Sequence, residues 1–119
     1  KYIKKTLKTP KIKKAIYSKI REFSKDRKTN TMINQPTYTY EDVMNKIGPN
    51  PVCYLTGTPI DLSKPKTYAL DHIIPVSRGG DNSLDNMGLC TKEANMAKLD
   101  LMLDEFIILC QKVVNNTKL

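Results

Sequence analysis

Histidine is almost absent from this sequence, and cysteine is scarce. One histidine and three cysteines occur among the 119 residues. A small, odd number of cysteines argues against a disulfide framework and favours a reducing, intracellular setting. No stretch approaches the ~18 apolar residues of a membrane helix, and no secretory signal opens the chain. We therefore expect one intracellular domain with a modest core.

Acidic residues are nearly missing from the first part of the chain. Residues 1–30 hold 12 of the 20 Lys and Arg residues but only two of the 12 Asp and Glu residues. The net charge of +8 therefore comes from this end. Such a distribution favours a polyanionic partner, with nucleic acid first and a membrane surface second. We divide the chain into a basic helical arm, residues 1–48, and a near-neutral body, residues 49–119.

The arm contains a predicted amphipathic helix over residues 9–28, with Thr9 as N-cap and Pro10 in the first turn. Its apolar face has helical spacing and comprises Ile12, Ala15, Ile16, Ile20 and Phe23. A basic stripe lies opposite and comprises Lys11, Lys14, Arg21, Lys25 and Lys28. Lys19 interrupts the apolar face, so its ammonium must reach the rim. The stripe is predicted to be solvated and also to contact phosphates.

The rest of the chain predicts short elements. A loop is expected over residues 28–38, then a helix over 40–47, with a capping-box-like start at Thr39 and Asp42 and a stop at Gly48. The later elements are Val52–Leu55 (strand or knuckle), Tyr68–Ile74 (strand), 77–83 (loop), 86–90 (strand), 91–99 (helix) and 103–114 (helix).

Asp71 and His72 are unusual because they lie inside an apolar run that includes Leu70 and Ile73. Polar side chains are costly in such a strand unless they are satisfied or used. Consecutive strand residues point to opposite faces, so a shared role requires the strand to end or twist there. Pro75 makes an end at this point plausible.

The stretch "DHIIPVSRGGDNSLDN", followed by "CTKEANMAK", resembles the HNH nuclease, or ββα-metal, motif. It is particularly similar to the HNH domain of RNA-guided CRISPR effectors and to small bacteriophage HNH proteins. The resemblance covers roughly residues 53–115. It implies an α+β fold, with a ββα-metal core between the basic helix and a C-terminal packing helix. It also implies a cytoplasmic protein of a bacterial host or phage.

The resemblance also implies roles for four residues. His72 would be the general base, since a neutral imidazole can take a proton from water near pH 7. Asp71 and Asn95 would hold one Mg²⁺ or Mn²⁺ ion through hard oxygen ligands. Asn86 has two readings of equal weight, a turn residue or a brace that orients His72 within the catalytic site.

Two further cations have open readings. Arg78, in the glycine-containing loop, and Lys98, one turn after Asn95, are either nucleic-acid contacts or ordinary solvated residues. We retain both as candidates beside the basic stripe, because backbone phosphates are bound through such side chains.

Many HNH nucleases bind a structural zinc ion through two CxxC pairs. Here Cys53 and Cys90 remain, but Thr56 and Glu93 occupy the partner positions. A Cys₄ site cannot be built from these residues, so no structural zinc is expected. The C-terminal helix around Phe106, Ile107 and Cys110 is expected to supply stability instead, with Cys110 in the core.

Three functions fit these observations. The first is a divalent-metal-dependent DNA endonuclease that nicks as a monomer, because one active site cuts one strand. The second is a nucleic-acid-binding or assembly module without turnover. The third is a subunit that is active only beside a partner, such as a second copy or another phage protein. Double-stranded DNA is the expected substrate, and RNA is a weaker alternative.

Overall fold

Four helices and four short strands make up the part of the chain described by the computed structural model, which covers residues 10–26, 31–32 and 36–117. The helices are α1 (Pro10–Phe23), α2 (Tyr40–Ile47), α3 (Lys92–Lys98) and α4 (Leu103–Asn116). The strands are β1 (Lys25–Asp26), β2 (Thr31–Met32), β3 (Tyr68–His72) and β4 (Met87–Thr91). The predicted α+β class is confirmed.

The centre of the fold is a ββα unit formed by β3, β4 and α3. β3 and β4 pair antiparallel, with Tyr68 opposite Thr91 and His72 opposite Met87. The chain enters α3 directly from β4, because the Thr91 hydroxyl caps the helix by accepting the Ala94 N–H at 3.2 Å. α3 then packs back against both strands. Both predicted strands and this helix are confirmed, with ends that differ by one or two residues.

Helix α1 covers β3 with the predicted apolar face. All five residues of that face are buried, and Ile12, Ile16, Ile20 and Phe23 join the main core. The helix ends at Phe23, earlier than predicted, and β1 pairs with β2 through Lys25 and Met32. This strand pairing supplies backbone hydrogen bonds to residues that we predicted to lie at the end of the helix and in the loop. Lys25 is therefore on a strand, while Thr9 and Lys28 lie outside the described residues.

Helix α2 follows its sequence signals closely. The Thr39 hydroxyl accepts the Asp42 N–H at 3.1 Å, and the Asp42 carboxylate accepts the Thr39 N–H at 2.8 Å. Gly48 ends the helix with φ at +78°, a conformation that L side chains rarely adopt. Val43 and Met44 pack into the same core as α1. The capping box and the bounds of this helix are confirmed.

The prediction that α4 closes the core is wrong. No residue of α4 is buried, and Cys110, predicted as core, is exposed. An apolar stripe shows that a helix can bury one face, but not that another element covers it. Here α1 and α2 already complete the core, and α4 leaves a run of apolar side chains accessible. These include Leu103, Ile107, Ile108, Leu109, Val113 and Val114.

Among the described residues, no helix is both long enough and apolar enough to cross a membrane.

Two isoleucines test this division of the core. Ile16 is fully buried in α1, whereas Ile108 in α4 is 52% exposed. Replacing Ile16 with Ala should lower the free energy of unfolding by about 2–5 kcal/mol, because it leaves a cavity. The matched Ile108→Ala change should stay within about 0.5 kcal/mol. Urea unfolding measures both, and equal losses would contradict the exposed position of α4.

Candidate active site

The Asp71 carboxylate is buried at the end of the ββα hairpin and has two partners on one oxygen. The Tyr54 hydroxyl donates a hydrogen bond of 2.5 Å to Oδ2, and the Lys98 ammonium lies 3.6 Å from the same atom. Burial and the Asp71 hydrogen bond raise the pKa of Tyr54, so its hydroxyl stays protonated near neutral pH and donates. Among the described residues, Oδ1 has no hydrogen-bond partner, so one carboxylate oxygen is fixed and the other is available.

Tyr54 reaches Asp71 from a turn that is joined to the hairpin. The segment from residue 52 to 59 forms this turn, in which the Gly57 N–H donates to the Cys53 carbonyl at 2.8 Å. The Tyr54 N–H donates to the Leu89 carbonyl of β4. The Tyr54 ring lies on Gly88, the cross-strand partner of Asp71, where a Cβ would come within 2.6 Å of it. A knuckle, not a strand, is therefore the correct alternative for this segment.

Lys98 is buried, so the solvated alternative for this residue is wrong. Its exposure is 0%, and its ammonium has no hydrogen-bond partner, although it forms the ion pair with Asp71. The reason is its place on the inward face of α3, which packs on the strands. Asn95 precedes it by three positions, and residues with this spacing are neighbours on one helix face. Asn95 therefore shares the face of α3 that carries Lys98.

His72 is held on both its ring face and its edge. The imidazole stacks on Phe23 of α1, with ring centroids 4.0 Å apart and planes at 10°. Its Nε2 lies 2.8 Å from the Oδ1 atom of Asn82. Because a carbonyl oxygen only accepts, this contact requires the tautomer that carries a proton on Nε2. The stack and this contact together fix the orientation of the ring.

Asn86 braces the loop between the two strands. Its Oδ1 accepts the Ile74 N–H at 2.8 Å, and its amide group donates to the Ile74 and Asp81 carbonyls at 3.0 and 2.8 Å. Gly80 lies so close that a Cβ there would be 1.7 Å from the Ile74 oxygen. These bonds favour the bracing reading, but the amide that contacts His72 belongs to Asn82, not Asn86.

Asp71 and His72 point in different directions, as consecutive strand residues should. Asp71 contacts the Tyr54 turn and α3, whereas His72 contacts α1 and the loop at Asn82. The ladder stays regular until β3 ends at His72. The expected end of the strand is present, and His72 contacts the following loop there through Asn82.

The oxygen donors present suit one magnesium-like ion. No group of three or more His, Cys, Asp or Glu side chains that could hold a metal occurs in the described ranges. Mg²⁺ needs few protein ligands, because it keeps several waters and binds substrate phosphate oxygens. The available Oδ1 atom of Asp71 and the amide oxygen of Asn95 are donors of the required kind.

Some of the side chains predicted to contact phosphates are exposed, and others form ion pairs. Lys11, Lys14 and Arg21 are exposed on α1. Lys25 pairs with Glu22 at 3.1 Å. The Arg78 guanidinium forms a two-pronged ion pair with Glu105 of α4, at 2.8 and 3.1 Å, and this contact also lowers the pKa of Glu105 to about 2. Arg78 therefore ties the loop to α4 in this conformation.

The remaining cysteines, Cys53 and Cys90, are buried free thiols. Burial raises the pKa of Cys90 to about 12, with the Asp71 charge adding to the effect. A Cys₄ zinc site requires four thiolates, and at one of these positions Thr56 instead shares a hydrogen bond with Thr58. The absence of structural zinc stays a prediction.

This arrangement defines a ββα fold. Asp71, His72 and Asn86 lie at the end of the hairpin where the loop joins its two strands. Residues 53–102 match a family model described as HNH endonuclease. The match supports membership of this segment in the HNH endonuclease family and supports a nuclease, a hydrolase of phosphodiester bonds. No curated protein and no solved structure shows significant similarity to the chain.

The sequence reasoning missed the side chains that hold the candidate site. Tyr54, Asn82 and the stacking role of Phe23 depend on contacts between residues far apart in the chain. Asn82 reads as an ordinary turn residue, and no local signal separates it from its neighbours. Tyr54 offered one signal, because it is a tyrosine directly after Cys53, at the start of the segment that matches the family model.

The Asn86 brace can be tested by truncation. Asn86→Ala removes three buried hydrogen bonds and leaves their backbone partners unsatisfied, so the free energy of unfolding should fall by about 2–4 kcal/mol. Asn115→Ala, on the exposed end of α4, is the matched control and should change it by less than about 0.5 kcal/mol. Urea unfolding separates the two, and a neutral Asn86→Ala variant would rule out the bracing role.

The hydroxyl of Tyr54 can be removed without changing the ring. Tyr54→Phe deletes a hydrogen bond to a charged acceptor, so thermal unfolding should report a loss of about 1.5–3 kcal/mol. Tyr17→Phe serves as the control, because Tyr17 is 47% exposed and its loss of a hydroxyl should have little effect. Equal stabilities for the two variants would show that the Asp71 contact is not formed in solution.

Proposed function

We propose that this protein is a divalent-metal-dependent DNA endonuclease that nicks one strand as a monomer. One observation carries the proposal. The segment that matches the HNH family folds so that Asp71 and His72 occupy the end of β3, each held by dedicated partners. Side chains that served only packing would not need the Tyr54 and Asn82 contacts.

His72 acts as the general base in this proposal. The Asn82 contact at Nε2 and the Phe23 stack on the ring face hold the imidazole in one orientation. Proton transfer by a positioned imidazole contributes typically ~10²–10⁴-fold to a rate. Asn86 keeps the following loop in place, so its role is positioning.

Asp71 and Asn95 would hold one Mg²⁺ or Mn²⁺ ion in this proposal. Tyr54 and Lys98 both contact one oxygen of Asp71, so the other oxygen would be available to a metal. When bound, the ion supplies a Lewis acid that neutralises charge on the phosphate. The phosphodiester lies at the end of β3, where an approaching substrate can meet both Asp71 and His72.

Exposed cations of α1 grip the DNA backbone. Lys11, Lys14 and Arg21 are available for this, whereas Lys25 and Arg78 must exchange an ion pair for a phosphate. Lys98 must leave its buried pair with Asp71 before it can contact a phosphate. Phosphate contacts position a protein without reading sequence. We therefore propose double-stranded DNA without strong sequence preference, within the cytoplasm of a bacterial host or phage-infected cell.

An assembly role is the second candidate, and the exposed apolar side of α4 favours it. A cavity of about 590 Å³ lies between α4 and the turn at Tyr54 and Leu55. Exposed apolar surface of this kind is typical of protein interfaces. In this alternative the chain cleaves little on its own and functions beside a second copy or another phage protein. Light scattering after size exclusion gives the oligomeric mass that separates a monomer from a homodimer.

Nicking of supercoiled plasmid tests the nuclease. With Mg²⁺ or Mn²⁺ the parent should nick, EDTA should abolish nicking, and His72→Ala should slow it by ~10²–10⁴-fold because the base is lost. DNA binding by His72→Ala should be retained, and Asn115→Ala should nick like the parent.

Two results would contradict the proposed function. Parent-like nicking by His72→Ala would remove the histidine from the mechanism. Absence of nicking by the parent with either ion would favour the assembly alternative.

A further inference from the structure

Five lysines from three separate elements line one cavity of about 380 Å³ on the surface. Three lie on α1, one lies in the short turn Pro65–Thr67, and one begins α3. They are Lys11, Lys14, Lys19, Lys66 and Lys92. The remaining lining residues are Ala15, Ser18 and Pro65, so no acidic side chain lines the cavity. We call this set the lysine cavity.

No salt bridge among the described residues neutralises a lysine of the cavity. The salt bridges of the described residues use Lys25, Arg78 and Lys98, none of which lines the cavity. Two acids lie near its edge, but both have other partners. Glu22 pairs with Lys25, and the Asp61 carboxylate accepts a hydrogen bond from the Ser63 hydroxyl at 2.6 Å.

Lys19 shows the effect of this crowding. Its ammonium lies 5.1 Å from the centre of the Tyr68 ring, in a half-buried position. Burial lowers the pKa of Lys19, and the nearby Lys92 charge lowers it further. An anion placed in the cavity would relieve the repulsion between these two lysines.

We propose that the lysine cavity is a phosphate-binding subsite that holds the nucleic-acid backbone. The inference rests on the proposed function and deepens it, because it adds Lys19, Lys66 and Lys92 to the α1 stripe. Lysine ammonium groups bind phosphate as point charges and need no fixed bidentate geometry. A concave group of five lets a phosphate meet cations from three sides, which a flat stripe does not.

The lysine cavity and the candidate active site share two helices. α1 carries both three of the lysines and Phe23, the residue stacked on His72. α3 carries both Lys92 and Asn95. The same two helices therefore carry lysines of the cavity and residues of the candidate active site.

Salt dependence of DNA binding measures the contacts directly. The full chain carrying His72→Ala is titrated against a fluorescent duplex over a range of NaCl concentrations, with EDTA present to prevent cleavage. The logarithm of the association constant falls with the logarithm of salt by about 0.9 for each phosphate neutralised. Adding Lys19→Gln, Lys66→Gln and Lys92→Gln should reduce that slope by about 2–3 and weaken binding at low salt.

A charge-matched control separates the cavity from net charge. Lys13→Gln, Lys64→Gln and Lys112→Gln remove three exposed lysines outside the cavity, and thermal unfolding checks that both triple variants fold. The control should keep the parent slope. Equal falls in slope for both variants, or no fall in the cavity variant, would overturn the subsite.

Two further outcomes identify what has failed. An unchanged slope in the cavity variant, with nicking by the His72-containing parent, would overturn the subsite and leave the nuclease standing. A parent that neither nicks nor binds the duplex would overturn both. Cavity-dependent binding to phosphatidylserine vesicles without duplex binding would reassign the lysines to a membrane surface.

Discussion

The contact of the buried Asp71 carboxylate with Tyr54 and Lys98 is the interaction on which the rest of the site depends. A carboxylate is costly to bury unless it is paired and hydrogen-bonded. Here one partner precedes the ββα unit in the chain, and the other lies at the end of its helix. Tyr54 comes from the turn before β3, and Lys98 from the last turn of α3. Gly88 matters for the same reason, since only a residue without a side chain leaves room for the Tyr54 ring.

The other half of the site is built on the opposite side of β3. His72 is stacked on Phe23, so α1 both covers the core and fixes the imidazole. The loop that supplies Asn82 is itself held by Asn86 through three hydrogen bonds. The basic helix is therefore not an appendage of the nuclease unit: the same helix places cations on the surface and an aromatic ring against the histidine.

Local signals in the sequence predicted the secondary-structure elements well, but they did not predict contacts between residues far apart in the chain. The apolar spacing of α1 and the capping residues of α2 are local and were sufficient. The Asp-His pair and Asn95 were found through resemblance, and the folded chain places Asp71 beside Lys98 on α3. Tyr54, Asn82 and the burial of Lys98 arise only when the turn, the loop and α3 meet the hairpin. α4 was misjudged because an amphipathic pattern does not reveal whether a partner surface exists within the fold.

The most direct test of this account is the position of a metal ion in crystals of the His72→Ala protein soaked with Mn²⁺. The account predicts one anomalous-scattering peak at about 2.0–2.3 Å from an Asp71 carboxylate oxygen and from the Asn95 amide oxygen, the range expected for small divalent ions with oxygen ligands. A peak bound elsewhere, with no Mn²⁺ at Asp71, would contradict it.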